Sequence, residues 1–314
     1  MSSCLLCGSP HSVPFFRASD RLYRTTTRQF SVLRCATCGL LRLDPQPSPS
    51  ELRQYYPDTY WFAPDSGTAS RLEESYRRLV LRDHVHFVEH ALRNSAARGP
   101  LLDVGAGGGL FPALMRGRGF RAIGLDFSPE AAAICWRQQR TPAVCAMLES
   151  APFPPRSLAG ITMFHVLEHL PDPRAYLRIA HGLLASDGRL VVQVPNADSW
   201  QSRLLGRSWN GMDVPRHLFD FGARHVAQLI QQAGFEVLRR KYFSLRDNPA
   251  GLASSLAPSL DPMARRVRRV QETNFGRLLR DLVYLALVLS AVPFTILEAL
   301  FHAGSTVMIE ARPR

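Results

Sequence analysis

Lysine is almost missing. Of the 38 basic residues in this 314-residue chain only Lys241 is a lysine, and the others are arginine. The formal net charge is +12, a surplus that fits nucleic acid, an anionic membrane or acidic substrates. The arginine skew weakens that inference, because codon composition of the source genome produces the same bias without a binding surface. The N-terminus has little that resembles a targeting segment. Met1 is followed by SSCLLCGSP, with neither a basic stretch nor an apolar core of signal-peptide length, so a cytoplasmic location is expected. No internal repeat is evident, and an apolar fraction of 46% with 20% charged residues excludes general disorder. The longest charge-free apolar run, Leu282 to Leu297, covers 16 residues and contains Pro293. At about 1.5 Å per residue it reaches roughly 24 Å, short of a ~30 Å hydrocarbon core.

Six cysteines are present, and four of them form two CxxC pairs, Cys4/Cys7 and Cys35/Cys38, each followed by glycine. In a reducing compartment such pairs point to a metal and not to disulfides. Two knuckles complete a closed Cys4 site, which implies structural zinc with no open catalytic position. A module of some forty residues buries little core, so the ion is expected to supply folding energy. Cys135 and Cys145 are expected inside the main core. Residues 44–67 are rich in proline and aromatics and read as a packed linker. Helical spacing of apolar residues from Ser70 to Arg98 predicts one covering helix.

Beyond Pro100 strands alternate with single helices, which implies a doubly wound, mostly parallel sheet. Asp103-Val-Gly105-Ala-Gly107-Gly-Gly109 closes the first strand, where glycines let backbone approach a ligand and a helix N-terminus follows. Asp126 ends the second strand, in place to hold both ribose hydroxyls. The string FHVLEHLPDP (164–173) contains His165, Glu168 and His169 in the H-x-x-E-H order of an inverted zinc peptidase. That chemistry needs both histidines on one helical face. An apolar strand before them and Pro171 and Pro173 after them break that face.

LLDVGAGGG, AIGLDFSPEA, MLESAPFP, FHVLEHLPDP and LVVQVPN together resemble the successive motifs of class I S-adenosylmethionine-dependent methyltransferases, over roughly residues 99–240. The resemblance implies a seven-stranded Rossmann-like core. It places Gly105, Gly107 and Gly109, with Asp103, at the methionine end of the cofactor, Asp126 and Phe127 at the ribose, Met147 and Leu148 beside the adenine, and His165 near the methyl group. Met147 stands where an acid is often found, and SLAGI replaces the usual Phe-Asp before the fourth strand. His165, Glu168 and His169 then border the acceptor, with Glu168 catalytic or loop-capping and His169 substrate-binding.

Residues 207–221, RSWNGMDVPRHLFDF, are dense in polar and aromatic groups and read as a functional loop. The segment resembles one in bacterial methyltransferases that join a zinc ribbon to this domain, among them sugar C-methyltransferases and surface-polysaccharide enzymes. There a histidine of the loop acts as base, and His217 is the match, with His165 the other catalytic candidate to take the proton. Asp213 is expected to orient His217, and Arg216 to hold an anionic substrate group.

The expected organisation is a zinc ribbon (1–45), a linker and covering helix (46–98), a cofactor-binding core (99–245), a helical insertion (246–303) and a last core strand (304–314). The insertion carries RRVRR (265–269) ahead of the apolar run. It is expected to form a cap over the site, a dimer contact, or an interfacial hairpin giving peripheral contact with the inner membrane through 265–301. The function expected is methyl transfer to a small-molecule acceptor, a sugar or surface-glycan precursor, with S-adenosylmethionine and structural Zn2+ as cofactors. The alternatives are an RNA methyltransferase, against which stands the lack of an Asn/Asp-Pro-Pro-aromatic string, and a catalytically silent scaffold.

Overall fold

The computed structural model describes residues 3–57 and 68–314. The part of the linker from 58 to 67 lies outside the described residues. The chain begins with β1 (Ser12–Ala18), β2 (Phe30–Cys35) and β3 (Leu41–Asp44), an antiparallel meander, followed by the short helix α1 (Pro49–Gln54). Ser48 and Glu51 cap α1 reciprocally through each other's backbone amides. Two helices come next, α2 (Thr68–Val80) and α3 (Arg82–Arg93), where one covering helix was expected. The break falls at Leu81, where the face that carries His84, Val85, Phe87, Val88 and Ala91 turns in to be buried.

The main sheet is built from β4 (Leu101–Val104), α4 (Leu110–Gly117), β5 (Ala122–Asp126), α5 (Pro129–Gln139), β6 (Ala143–Cys145), β7 (Leu158–Phe164), α6 (Pro173–Leu183) and β8 (Leu184–Pro195). After β8 come α7 (Trp200–Leu205), the two-residue strand β9 (Phe219–Asp220), α8 (Ala223–Gln232), β10 (Phe235–Lys241), α9 (Asn248–Leu256), α10 (Pro262–Val267), α11 (Asn274–Leu300) and β11 (Thr306–Pro313). Seven strands pair in the order β10-β11-β8-β7-β4-β5-β6, with β11 alone running against the rest. β4 lies between β5 and β7, so the chain leaves it in both directions across the sheet. The carboxyl ends of β4 and β7 therefore flank a topological switch point, where open α/β sheets bind ligands. The Rossmann-like, seven-stranded fold expected of the sequence is the one found.

Three local expectations are corrected. Cys145 is exposed at the end of β6, whereas Cys135 is buried as expected. Helix α6 stops at Leu183 and not near Gly188, because Leu184 already pairs with Leu158 of β7. The apolar run is one 27-residue helix continuous through Pro293, about 40 Å long, and no hairpin. Pro293 sits on its exposed side, and the helix runs on through it.

The N-terminal strands are not an independent module. β9, which lies in the loop after β8, adds to them as a fourth strand, with Leu41 opposite Asp220 and Arg42 opposite Phe219. Leu6, Phe30, Val32, Leu40 and Leu43 join the same buried cluster as Leu167, Leu218 and Phe221. The two knuckles also dock on helices of the main domain. Arg174 donates to the carbonyl of Leu5, Gln232 Nε2 to that of Leu6 at 3.1 Å, and His225 Nε2 to that of Cys38 at 2.9 Å.

Arg216 closes the seam. Its guanidinium is 0% exposed and uses all five N–H donors. Nε and Nη2 donate to Asp213 at 2.9 and 2.6 Å, Nη1 and Nη2 to Asp20 at 3.0 and 2.9 Å, and Nη1 to the Tyr55 carbonyl at 3.2 Å. Tyr23 stacks on it, with its ring centroid 4.5 Å from the guanidinium carbon. Burial would raise the Asp20 carboxyl, but the guanidinium outweighs it and holds the group below the usual carboxylate range. Removing one partner of such a cluster strands buried charge, so Arg216→Met should lower stability by roughly 3–5 kcal/mol in urea denaturation. Arg216→Lys should recover little of it, since a point ammonium cannot serve two carboxylates in a fork.

Candidate active site

The glycine turn after β4 divides its labour. Gly105, Gly107 and Gly109 all have positive φ, at 72°, 51° and 76°. A Cβ on Gly109 would lie 2.2 Å from Cys135 Sγ of α5, and one on Gly105 would lie 2.7 Å from Val166 Cγ2. These two glycines let the helix and the next loop approach the turn. A Cβ on Gly107 meets nothing within 4 Å. Open space above a left-handed glycine beside a strand end is where a ligand's backbone-bound portion fits. Of the three expected cradle residues, Gly107 faces the open side, and Gly109 serves packing.

Asp126 braces the turn from the neighbouring strand. Its Oδ2 accepts the Gly107 amide at 2.8 Å and Oδ1 the Ser128 amide at 2.9 Å. Each oxygen keeps a further lone pair for a ribose hydroxyl. Burial raises the Asp126 carboxyl, with those amides pulling the other way. Asp103 lies one layer below, accepts Thr162 Oγ1 at 2.6 Å and is pushed up by burial to about 7. It supports the turn from beneath. Phe127 and Met147 are exposed apolar side chains at the carboxyl ends of β5 and β6, where an adenine was expected. Leu148 was expected beside them, but its side chain is in the core. The open glycine, the two free lone pairs of Asp126 and this exposed apolar pair together fit S-adenosylmethionine.

His165 follows β7 in the left-handed conformation, φ 56°, which costs a non-glycine residue of order 1 kcal/mol and turns its ring out of the strand. Nδ1 lies 3.1 Å from Glu168 Oε1, and Nε2 lies 2.9 Å from the Gln193 amide and 3.6 Å from Asp247 Oδ2. Burial alone would lower its pKa, but Asp247 and Glu168 outweigh it and hold His165 up at about 9. The Gln193 Nε2 group also donates to Asp247 Oδ2 at 2.7 Å, which ties β8 into the same network. His165 is thus a fixed cation near pH 7 and is not available as a base. Asp247 in turn accepts Ser244 Oγ at 2.6 Å and lies 3.7 Å from His84 Nε2. Its carboxyl stays well below the usual range, because Arg246 and His165 overcome its burial.

His169 diverges from His165, so no common histidine face exists and the peptidase pattern is excluded. Its Nδ1 meets Tyr56 Oη at 2.8 Å and the Arg216 carbonyl at 3.1 Å. Burial and the adjacent His217 lower it to about 4. The rings of His169 and His217 pack edge to face with centroids 4.6 Å apart. His217 Nδ1 donates to the Gly211 carbonyl at 2.9 Å, which fixes the tautomer and leaves Nε2 as the acceptor nitrogen. Burial pulls the His217 pKa down, but the Asp220, Asp213 and Glu168 carboxylates raise it above its ordinary value. Glu168, His169 and His217 offer one ligand atom each within 4.8 Å of one another, and Glu168 Oε2 is buried without a partner. The loop is pinned here by its own backbone. The Leu218 amide donates to the Glu168 carbonyl at 2.7 Å, and the Leu218 carbonyl accepts the Leu43 amide at 3.0 Å.

Two expected roles change. Asp213 faces Arg216 and does not orient His217, whose Nδ1 partner is a carbonyl. Arg216 spends every donor inside the protein and has none for a substrate anion. Gln193, Asp247, His84, Tyr56 and Asp20 were not anticipated. A signal existed for Gln193, the single polar residue within LVVQVP of β8. Asp247 and Asp20 are isolated acids with no local pattern.

Residues 73–240, more than half of the chain, match the family described as Methyltransferase domain. The chain belongs to that family. An uncharacterized protein of Mycobacterium tuberculosis is 31% identical over 156 residues, which are 49% of this methyltransferase and 52% of that protein. The match therefore spans about half the length of that curated relative. The ubiquinone biosynthesis O-methyltransferase of Pseudomonas aeruginosa is 25% identical over 173 residues, 51% of this chain and 74% of that one. Among solved structures, geranyl diphosphate C-methyltransferase of Streptomyces coelicolor aligns with a TM-score of 0.50 at 15% identity, over 82% of this chain and 88% of that one. At that identity the likeness concerns the fold.

The two glycines separate packing from binding. Gly109→Ala should unfold at clearly lower temperature, because its Cβ collides with Cys135 at a positive φ. Gly107→Ala should cost only about 1 kcal/mol of stability, its backbone term, yet weaken S-adenosylmethionine binding roughly tenfold or more in calorimetry.

Proposed function

We propose that this methyltransferase acts on a polyhydroxylated small molecule, a sugar or surface-glycan precursor, with His217 as the acceptor-side base. The observation that carries the proposal is His217 itself, buried beside the crevice with Nδ1–H tied to the Gly211 carbonyl. When bound, S-adenosylmethionine supplies an electrophilic methyl group that needs an in-line nucleophile. Asp126 holds the ribose and the turn at Gly107 holds the methionine end. Nε2 of His217 takes the proton from the acceptor's hydroxyl or acidic carbon. The carboxylates of Asp220 and Glu168 then stabilise the imidazolium, while the fixed cation His165 balances Glu168. Tyr56, His169 and Glu168 give the acceptor side alternating donors and acceptors, which suits hydroxyl-rich ligands better than an apolar one. The relative named for ubiquinone biosynthesis supports a small-molecule acceptor over RNA.

The N-terminal cysteines support a zinc ribbon. Cys4 Sγ lies 3.6 Å from Cys38 Sγ, Cys7 Sγ lies 3.6 Å from Cys35 Sγ, and all four sulfurs fall within 4.8 Å of one another. Zinc–thiolate bonds of ~2.3 Å in a tetrahedron put sulfurs ~3.8 Å apart, whereas a disulfide needs ~2.05 Å. In this reading a closed Cys4 ion stiffens the knuckles that dock on α6 and α8.

His217→Asn should reduce kcat by ~10²–10⁴-fold and leave calorimetric affinity for S-adenosylmethionine unchanged. The wild-type rate should fall on acidification with a limb above pH 6.5, since the folded His217 pKa is raised and its protonated form cannot act as base. That limb should vanish in the variant. Methyl transfer to nucleotide-linked sugars is the expected activity, and transfer to RNA alone would overturn the acceptor assignment. Metal analysis should find one zinc per chain, and a metal-free folded protein would remove the ribbon.

A further inference from the structure

Helix α11 is amphipathic in the wrong sense for a helix facing water. Its inward stripe, at helical spacing, is Tyr284, Val288, Ala291, Thr295 and Glu298, with a polar group at each end that bonds to other elements. Tyr284 Oη meets Ser254 Oγ at 2.8 Å, and buried Glu298 accepts Gln201 Nε2 at 2.7 Å and the Ser305 amide at 3.2 Å. Its outward side is leucine-rich. Phe275 is 76% exposed, Leu289 61% and Leu300 70%, with Leu278, Leu279, Leu282, Leu285 and Ile296 also exposed. Only 22% of its most apolar 18-residue window is buried, at a mean hydropathy of 2.0. Apolar surface of this extent marks an interaction site.

We infer that this outward face of α11 lies in the surface of an anionic lipid bilayer. The chain leading to it carries the matching charge. Between Met263 and Asp281 six arginines (265, 266, 268, 269, 277 and 280) stand against two acids, Glu272 and Asp281; Arg265 is buried between both acids, Arg277 pairs with Asp281 and Arg280 with Glu272, so the stretch keeps a net positive charge. Arg277 and Arg280 are exposed at the start of the helix, while from Leu282 to Phe301 the sole acid, Glu298, is turned inward. A uniform leucine face with a basic rim at one end fits acyl chains beneath anionic headgroups. The helix is long and apolar enough to cross a membrane by length and composition. Its stripe is instead held by α9 and α7, so crossing would carry Glu298 and the catalytic domain into hydrocarbon, and it lies in the plane. Trp200 of α7 stacks on Phe301 at 5.3 Å, and the adjoining Leu204 is exposed. Since α7 follows the carboxyl end of β8, the lipid-facing side adjoins the acceptor side of the crevice.

The test is flotation of the full chain with vesicles of phosphatidylcholine, with and without phosphatidylglycerol. Wild type should float with the anionic vesicles and far less with the neutral ones. Leu282→Glu/Leu289→Glu should abolish flotation, and Arg277→Gln/Arg280→Gln should weaken it roughly tenfold. All should bind S-adenosylmethionine as wild type does, since none of these residues borders the cofactor. Absence of flotation overturns the inference, as does flotation indifferent to both pairs. A dimer in sedimentation velocity that the leucine pair dissociates, without vesicle binding, would assign the face to a second copy and overturn it too. Should the leucine pair lose cofactor binding, the arginine pair alone decides.

Discussion

One guanidinium joins three parts of this protein. Arg216 binds Asp20 from the N-terminal strands, Asp213 from its own loop and the carbonyl of Tyr55 within the linker. The next residue along the chain is His217, and the one after it bridges the backbone of Leu43 to that of Glu168. Fixing Arg216 therefore fixes where the loop's imidazole meets the carboxyl end of β7. Such a buried ion cluster adds little to stability compared with an apolar replacement of the same volume. Its service here is positional, because five directional bonds define one loop conformation where hydrophobic packing would tolerate several.

The cofactor side is organised by a different constraint, close approach. Gly109 lets α5 touch the turn, Gly105 admits Val166, and Asp126 ties the turn to β5 through two backbone amides. What is left open is the space over Gly107. On the acceptor side, His165 spends backbone strain to leave the line of β7 and enter a network with Glu168, Gln193 and Asp247. Asp247 opens the helical segment between β10 and β11, so that segment contributes to the site as well as to the surface that α11 presents.

Much of this was legible in the sequence, and for identifiable reasons. Strand and helix periodicity gave the parallel sheet, and the glycine turn with Asp126 located the crevice, because those features depend on local spacing. CxxC-G knuckles announced themselves in the same way. Partner choice did not. Nothing near Arg216 in sequence indicates Asp20, 196 residues away, and a buried arginine looks in one dimension like a substrate anchor. Cys145 was misplaced because burial at the end of a short edge strand depends on which neighbour covers it. For α11 the apolar run marked a helix but not its orientation. That depended on Tyr284 and Glu298 finding polar partners on α9, α7 and the loop before β11, which turned the leucines outward.

The most direct test of the account is a crystal structure with S-adenosylhomocysteine bound. The ribose hydroxyls should lie within hydrogen-bond distance of Asp126, the homocysteine should lie over Gly107, and the sulfur should open toward a cavity bordered by His217 Nε2 and Glu168. A ribose away from Asp126, or a sulfur separated from His217 by the Arg216 cluster, would contradict it.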